Sequence, residues 1–183
     1  MHTVGRLTNV LALTLSAVLI GVLGVGNFAS AASNSGVTAS YNGGTIDLSQ
    51  SWGTATVCVV TSSGTSCFSS QSSYQTWASS QPTLLPGVVS PPSSSCSTGL
   101  RLYSKVGYAG SELILYVQSS WINLSAYSFA NVLSSYHVGA CAVGMTASVN
   151  GTGAVYPGAG SPGSNVSTLG AAWNNRMQSV YIN

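Results

Sequence analysis

The chain has 183 residues, of which 45% are hydrophobic and only 3% are charged, against a usual quarter. The charged residues are Arg6, Asp47, Arg101, Lys105, Glu112 and Arg176. That leaves no basic patch to neutralise phosphates, which excludes nucleic acid as a partner, while nine tyrosines and the apolar content argue against disorder.

Residues 1–31 read as a signal peptide. Arg6 precedes an apolar run, Val10–Val25, that is short for a bilayer span, and Ala29-Ser30-Ala31 supplies the small residues of a cleavage site. Secretion follows as an expectation. The mature chain then keeps no membrane segment, and its cysteines oxidise.

Residues 32–81 form an expected N-terminal hairpin unit. Val37–Tyr41 and Thr45–Leu48 flank Asn42-Gly43-Gly44, whose residues tolerate the positive φ of a tight hairpin. Thr54–Val60 and Thr65–Phe68 form a second pair. If Val60 faces Thr65, Cys58 falls opposite Cys67, within disulfide reach. A zinc site is the competing reading of paired cysteines. It lacks a CxxC motif, and His137 is the only histidine of the mature chain. Ser69–Ser80 reads as a short helix with Tyr74 and Trp77 on one side. Residues 82–95 carry four prolines and a serine run, the composition of an extended linker.

Residues 96–183 read as a β-domain. Leu100, Leu102 and the alternation of Glu112–Val117 predict two strands. Trp121–Leu124 leads into a helical crossing over Ser125–Asn131, and Val132–Val138 returns as a strand. A second unit follows, with a strand over Cys141–Val149, a turn at Asn150-Gly151, a strand over Ala154–Tyr156 and a loop over Pro157–Ser164. A final loop and strand fill Trp173–Ile182. Tyr103, Tyr108 and Gly110 have the spacing of a hairpin folded over its own sheet: two rings cover the bend, and the glycine takes a positive φ. Trp121 and Trp173 hold matching places before their loops and read as caps on the core.

These residues resemble the βγ-crystallin family. Tyr103, Tyr108 and Gly110 match its aromatic–glycine pattern. Ala130–Ser135 and Asn174–Ser179 are similar to the Asn/Asp–Asn/Asp–x–x–Ser/Thr–Ser segment that ends each Greek key. The second unit lacks the aromatic pattern. The resemblance implies an all-β, double Greek-key sandwich, preceded here by a small disulfide-linked hairpin unit. Four cysteines allow three pairings. Cys58–Cys67 and Cys96–Cys141 are favoured because the hairpin register supports the first, and the second joins the two keys.

The same resemblance implies calcium, at Asn131, Ser134, Asn174, Asn175 and Ser179. None of these is a carboxylate, so only weak, vestigial binding is expected and no cofactor is assigned. Catalysis is not expected: one histidine, two acids and no GxSxG supply neither a nucleophile with its base nor a placed carboxylate pair. The whole arrangement also resembles exported actinobacterial proteins grouped with a peptidase-inhibitor family of the metalloproteinase-inhibitor type. That implies a monomer that binds an extracellular protease through a rigid loop, with Pro157–Ser164 and the Tyr127–Asn131 crossing as contact surfaces. The alternative is a non-enzymatic, toxin-like or cell-surface module that binds a cell-wall glycan through its aromatic residues.

Overall fold

A computed structural model describes residues 36–81, 96–158 and 160–183. The expected signal peptide and the proline-rich linker lie outside the described residues. Among the described residues no helix is long and apolar enough to cross a membrane.

Strands form where apolar residues alternate or run together between glycine and asparagine turns. β1 (Thr38–Tyr41) and β2 (Gly44–Asp47) make the first hairpin, with Asn42 and Gly43 at φ 49° and 77°. β3 (Val57–Thr61) and β4 (Gly64–Phe68) make the second, with Val60 opposite Thr65 and Cys58 opposite Cys67, the register expected from sequence. α1 (Gln71–Ser79) starts at Ser70, whose hydroxyl accepts from Ser73 N while the Ser73 hydroxyl accepts from Ser70 N. This reciprocal cap satisfies two donors that a helix start otherwise leaves bare.

The remaining strands build two sheets. β5 (Leu100–Lys105), β6 (Ala109–Leu115) and β8 (Ser135–His137) lie in the first sheet, whereas β7 (Trp121–Asn123) crosses to the second. The second unit mirrors this exchange. β9 (Val143–Thr146), a bridge at Val155 and β11 (Ser179–Ile182) lie in the second sheet, whereas β10 (Asn165–Val166) crosses to the first. Each unit thus gives its third strand to the other's sheet. This mutual exchange defines the double Greek key, and the fold is the all-β, βγ-crystallin-like sandwich implied by sequence.

The first sheet does not stop at β6. β3 pairs with it in parallel, Val57 with Glu112 through Val60 with Leu115, giving eight strands in the order β10-β8-β5-β6-β3-β4-β1-β2. The disulfide-linked hairpin unit therefore continues the sheet of the double key. Val57 to Val60 are all buried because β3 is covered on both faces. Cys58 and Val60 enter the main core with Leu102, Leu113, Leu115, Tyr136, Met145, Met177 and Val180. Val57 and Val59 face the other way with Ile114, under Tyr74 of α1. Trp52 strengthens the join: its indole N–H donates to Tyr127 O at 2.6 Å and its ring packs on Phe129 at 5.6 Å.

Several local expectations need correction. The strand expected over Val132–Val138 shortens to β8 because Asn131 turns at φ 60°, and the chain reaches the ladder only where Ser134 N meets Tyr103 O. The strand expected over Ala154–Tyr156 reduces to the bridge between Val155 and Thr146. The Tyr127–Asn131 crossing is not a contact surface through its rings, since Tyr127 and Phe129 are buried under Trp52. Trp121 is no core cap: it is 38% exposed on the outer face of the second sheet, whereas Trp173 packs partly buried against the core.

Candidate functional site

The hairpin between β5 and β6 folds as its residues require. Tyr103 and Tyr108 meet edge to face at 5.7 Å, and Tyr108 also stacks on His137 at 3.9 Å. Gly110 takes φ 81°, and a β-carbon there would run into the side chains of Ser104 and Lys105. Tyr108 itself adopts φ 61°, a left-handed turn that the aromatic spacing does not reveal. The buried Ser135 hydroxyl latches this bend, donating to Lys105 O at 2.6 Å and accepting from Tyr108 N at 3.0 Å.

Ser179 does the same in the second unit. Its hydroxyl donates to Ser148 O at 2.7 Å, accepts from Gly151 N at 3.0 Å and pairs with the Thr146 hydroxyl at 2.7 Å. This explains how the second hairpin folds without the aromatic pattern. Trp121, from the first unit's exchanged strand, covers Gly151 in place of the missing rings. The serine latch is common to both keys; the aromatic lid is borrowed in one.

The five calcium-type residues are brought together in part. Asn131 N donates to Met177 O at 2.8 Å and Asn175 N donates to Leu133 O at 3.0 Å, so the two loops brace each other. Ser134 Oγ lies 3.2 Å from both Ser104 O and Asn175 Oδ1, donating toward them. Ser179 is engaged at its own hairpin, and Asn174 Oδ1 is buried without a hydrogen-bond partner. A Ca²⁺ ion wants six to eight oxygens with carboxylate charge among them. This donor set has no carboxylate, and Ser179 is taken up by its own hairpin, so it supports no more than the weak binding expected from sequence. Accordingly, millimolar calcium should leave the melting temperature within about 1 °C of its value in chelator, whereas filling a site to ten times its Kd would raise it by roughly 3 °C. Differential scanning calorimetry decides between these.

Beside the folded hairpin lies a charged cluster on the outer face of the first sheet. Glu112 is 4% exposed, and Arg101 Nη1 donates to its Oε1 at 2.8 Å. The guanidinium also sits 5.5 Å from the Tyr74 ring centre, tying α1 to the sheet. Arg101 stays above its ordinary value: burial works against its charge, but Glu112 and then Tyr74 outweigh it. Burial pushes Tyr103 up to about 12, with Glu112 adding to the effect. Burial also pushes Tyr74 up to about 12, with Tyr116 adding. Because both phenols ionise near pH 10 when unfolded, their contribution is complete below pH 10 and is lost as pH rises through 12. An alkaline titration followed by phenolate absorbance and circular dichroism should therefore show late-ionising tyrosines that titrate together with unfolding.

Both cystine bridges have the favoured pairing, Cys58–Cys67 and Cys96–Cys141. The second spans 45 residues and joins the start of β5 to the start of the second unit. Among the described residues no group of three His, Cys, Asp or Glu side chains gathers as a metal site.

One exposed loop is held more firmly than its composition suggests. Pro157, Gly158, Ser161, Pro162 and Gly163 are exposed. Tyr136 Oη donates to Gly158 O at 2.6 Å, and Val143 N donates to Gly160 O at 3.0 Å. Gly163 N donates to Gly139 O at 2.9 Å, and Val138 N donates to Ser164 O at 2.8 Å.

No family model matches this chain and no curated protein matches it. Similar solved structures include a βγ-crystallin from Ciona intestinalis, 16% identical, with a TM-score of 0.39 over 46% of this chain and 98% of that one. A βγ-crystallin domain from Clostridium beijerinckii is 21% identical, with a TM-score of 0.38 over 46% of this chain and 95% of that one. A structure described under the evolution of the eye lens βγ-crystallin domain fold is 18% identical, with a TM-score of 0.42 over 52% and 92%.

Proposed function

We propose that the protein acts outside the cell as a non-enzymatic binding protein of the peptidase-inhibitor type, offering the Pro157–Ser164 loop to a protease cleft. The observation that supports this is the loop's restraint: exposed residues are held by hydrogen bonds from β8, β9 and their flanks. Loop residues already held at Gly158, Gly160, Gly163 and Ser164 lose little conformational freedom on docking, which favours tight, substrate-like binding without turnover. The placement of the two acids supports a role without catalysis. Asp47 accepts from the backbone and hydroxyl of Ser49, at 2.9 and 2.7 Å, and Glu112 is spent on Arg101.

The test is titration of the mature protein against thermolysin-like and serine proteases. Inhibition is expected at micromolar concentration, and the double variant Ser161→Gly/Pro162→Gly should weaken it at least tenfold while lowering the melting temperature by no more than about 4 °C. No inhibition by any concentration up to micromolar excess removes this reading. A second reading, as a glycan-binding module, is favoured by a different observation: a neutral, hydroxyl-lined groove beside α1.

A further inference from the structure

β1 meets β4 through a single parallel pair, Ser40 with Ser66, so the first hairpin leaves the ladder almost at once. α1 covers the neighbouring stretch of sheet, over Val57, Val59 and Ile114, and stops short of the hairpin. Between helix and hairpin lie two adjoining cavities of about 240 and 210 Å³. Ser40, Ser66 and Trp77 line both. The floor is ordered, with Ser40 Oγ donating to Ser66 Oγ at 3.0 Å. Trp77 is half-buried, one side packed on Phe68 at a ring distance of 5.2 Å, and it stands at the junction of the two halves.

The lining selects a chemistry. One half adds Tyr41 and Ser73, the other Thr61 and Ser63, and no charged residue lines either. Phosphate, carboxylate or ammonium ligands would find no counter-charge here. A long apolar ligand would make no use of these hydroxyls, which already pair among themselves and with neighbours but keep lone pairs free to accept from a ligand's hydroxyls. What suits both is a ligand with a flat C–H face for an indole and hydroxyls at its rim for serine and threonine.

Resting on the glycan-binding reading, we propose that this groove is the site and that it takes a neutral oligosaccharide, two adjacent pyranose rings sharing Trp77 between them. The Pro157–Ser164 loop plays no part in it.

The test is an NMR titration of the mature chain, following the four indole N–H signals while chitotetraose, cellotetraose and xylotetraose are each added to about 10 mM, a range suited to weak, millimolar binding. The Trp77 signal is expected to move saturably with at least one sugar, while those of Trp52, Trp121 and Trp173 stay in place. Trp77→Ala should weaken binding at least tenfold. Because Trp77 also packs on Phe68, Ser40→Leu provides the second variant: it fills the groove from the exposed hairpin, and should abolish binding with the melting temperature unchanged. If a sugar binds but moves Trp121 instead, or binds Ser40→Leu as well as wild type, the groove assignment falls and the glycan-binding reading survives. If no signal moves with any of the three, both fall.

Discussion

Replacing Cys96 and Cys141 together by serine is expected to lower the unfolding free energy by about 4 kcal/mol, against about 3 kcal/mol for the Cys58/Cys67 pair. The difference comes from the denatured chain. Cutting a link that spans 45 residues frees more unfolded conformations than cutting one that spans 9. The native contacts point the same way. Cys58 and Cys67 face each other on paired strands that remain hydrogen-bonded without the bridge. Cys96 lies before β5 and Cys141 before β9, so their bridge is a covalent tie between the two Greek keys. Urea unfolding of the two double variants measures the gap. A smaller loss for the 96–141 pair would show that the keys are held together by their exchanged strands and shared core alone.

Arg101→Met is expected to cost about 3–4 kcal/mol, more than Glu112→Gln. The two partners are not equally sheltered: the Arg101 side chain is 32% exposed and that of Glu112 is 5%. Without its cation, Glu112 becomes a buried carboxylate with no ion-pair partner beside Tyr103 and Tyr74. Without its anion, Arg101 can still turn its guanidinium toward solvent along an aliphatic stem. The double variant Arg101→Met/Glu112→Leu should recover most of the stability, since a matched apolar pair removes both buried charges. Chemical unfolding of the single and double variants checks the cycle. A double variant no more stable than Arg101→Met alone would show that packing, not charge, is what Arg101 supplies.

What could be read from sequence was local. The Cys58–Cys67 register followed from strand alternation around a short turn, and the helix from Tyr74 and Trp77 three residues apart. The folded hairpin followed from two rings and a glycine. Each depends on neighbours in the chain. What could not be read was who pairs with whom at a distance. The run Val57–Val60, four apolar residues in a row, carries the mark of a strand covered on both faces, but nothing in it names β6 as its partner. β10 is two residues long and has no periodicity to find. Trp121 matched Trp173 by spacing, yet Gly144 and Gly151 lie beneath it, so the ring spreads over the outside of the second sheet. The groove beside Trp77 was equally hidden, because it exists only where β1 parts from β4 next to a helix end. Of the candidate site residues, the latching role of Ser179 is visible only from its three partners, and that of Ser135, a motif position in the sequence, only from its bonds to Lys105 and Tyr108.

The parallel pairing of β3 with β6 also sets an order of events during synthesis. β3 leaves the ribosome about fifty residues ahead of its partner, and a strand waiting for so distant a neighbour folds slowly. In that interval the Val57–Val60 edge is bare, apolar on both sides and open to another chain's edge. Conditions that delay completion of the second half should therefore favour clumping of nascent chains through this segment over clean arrest as a monomer.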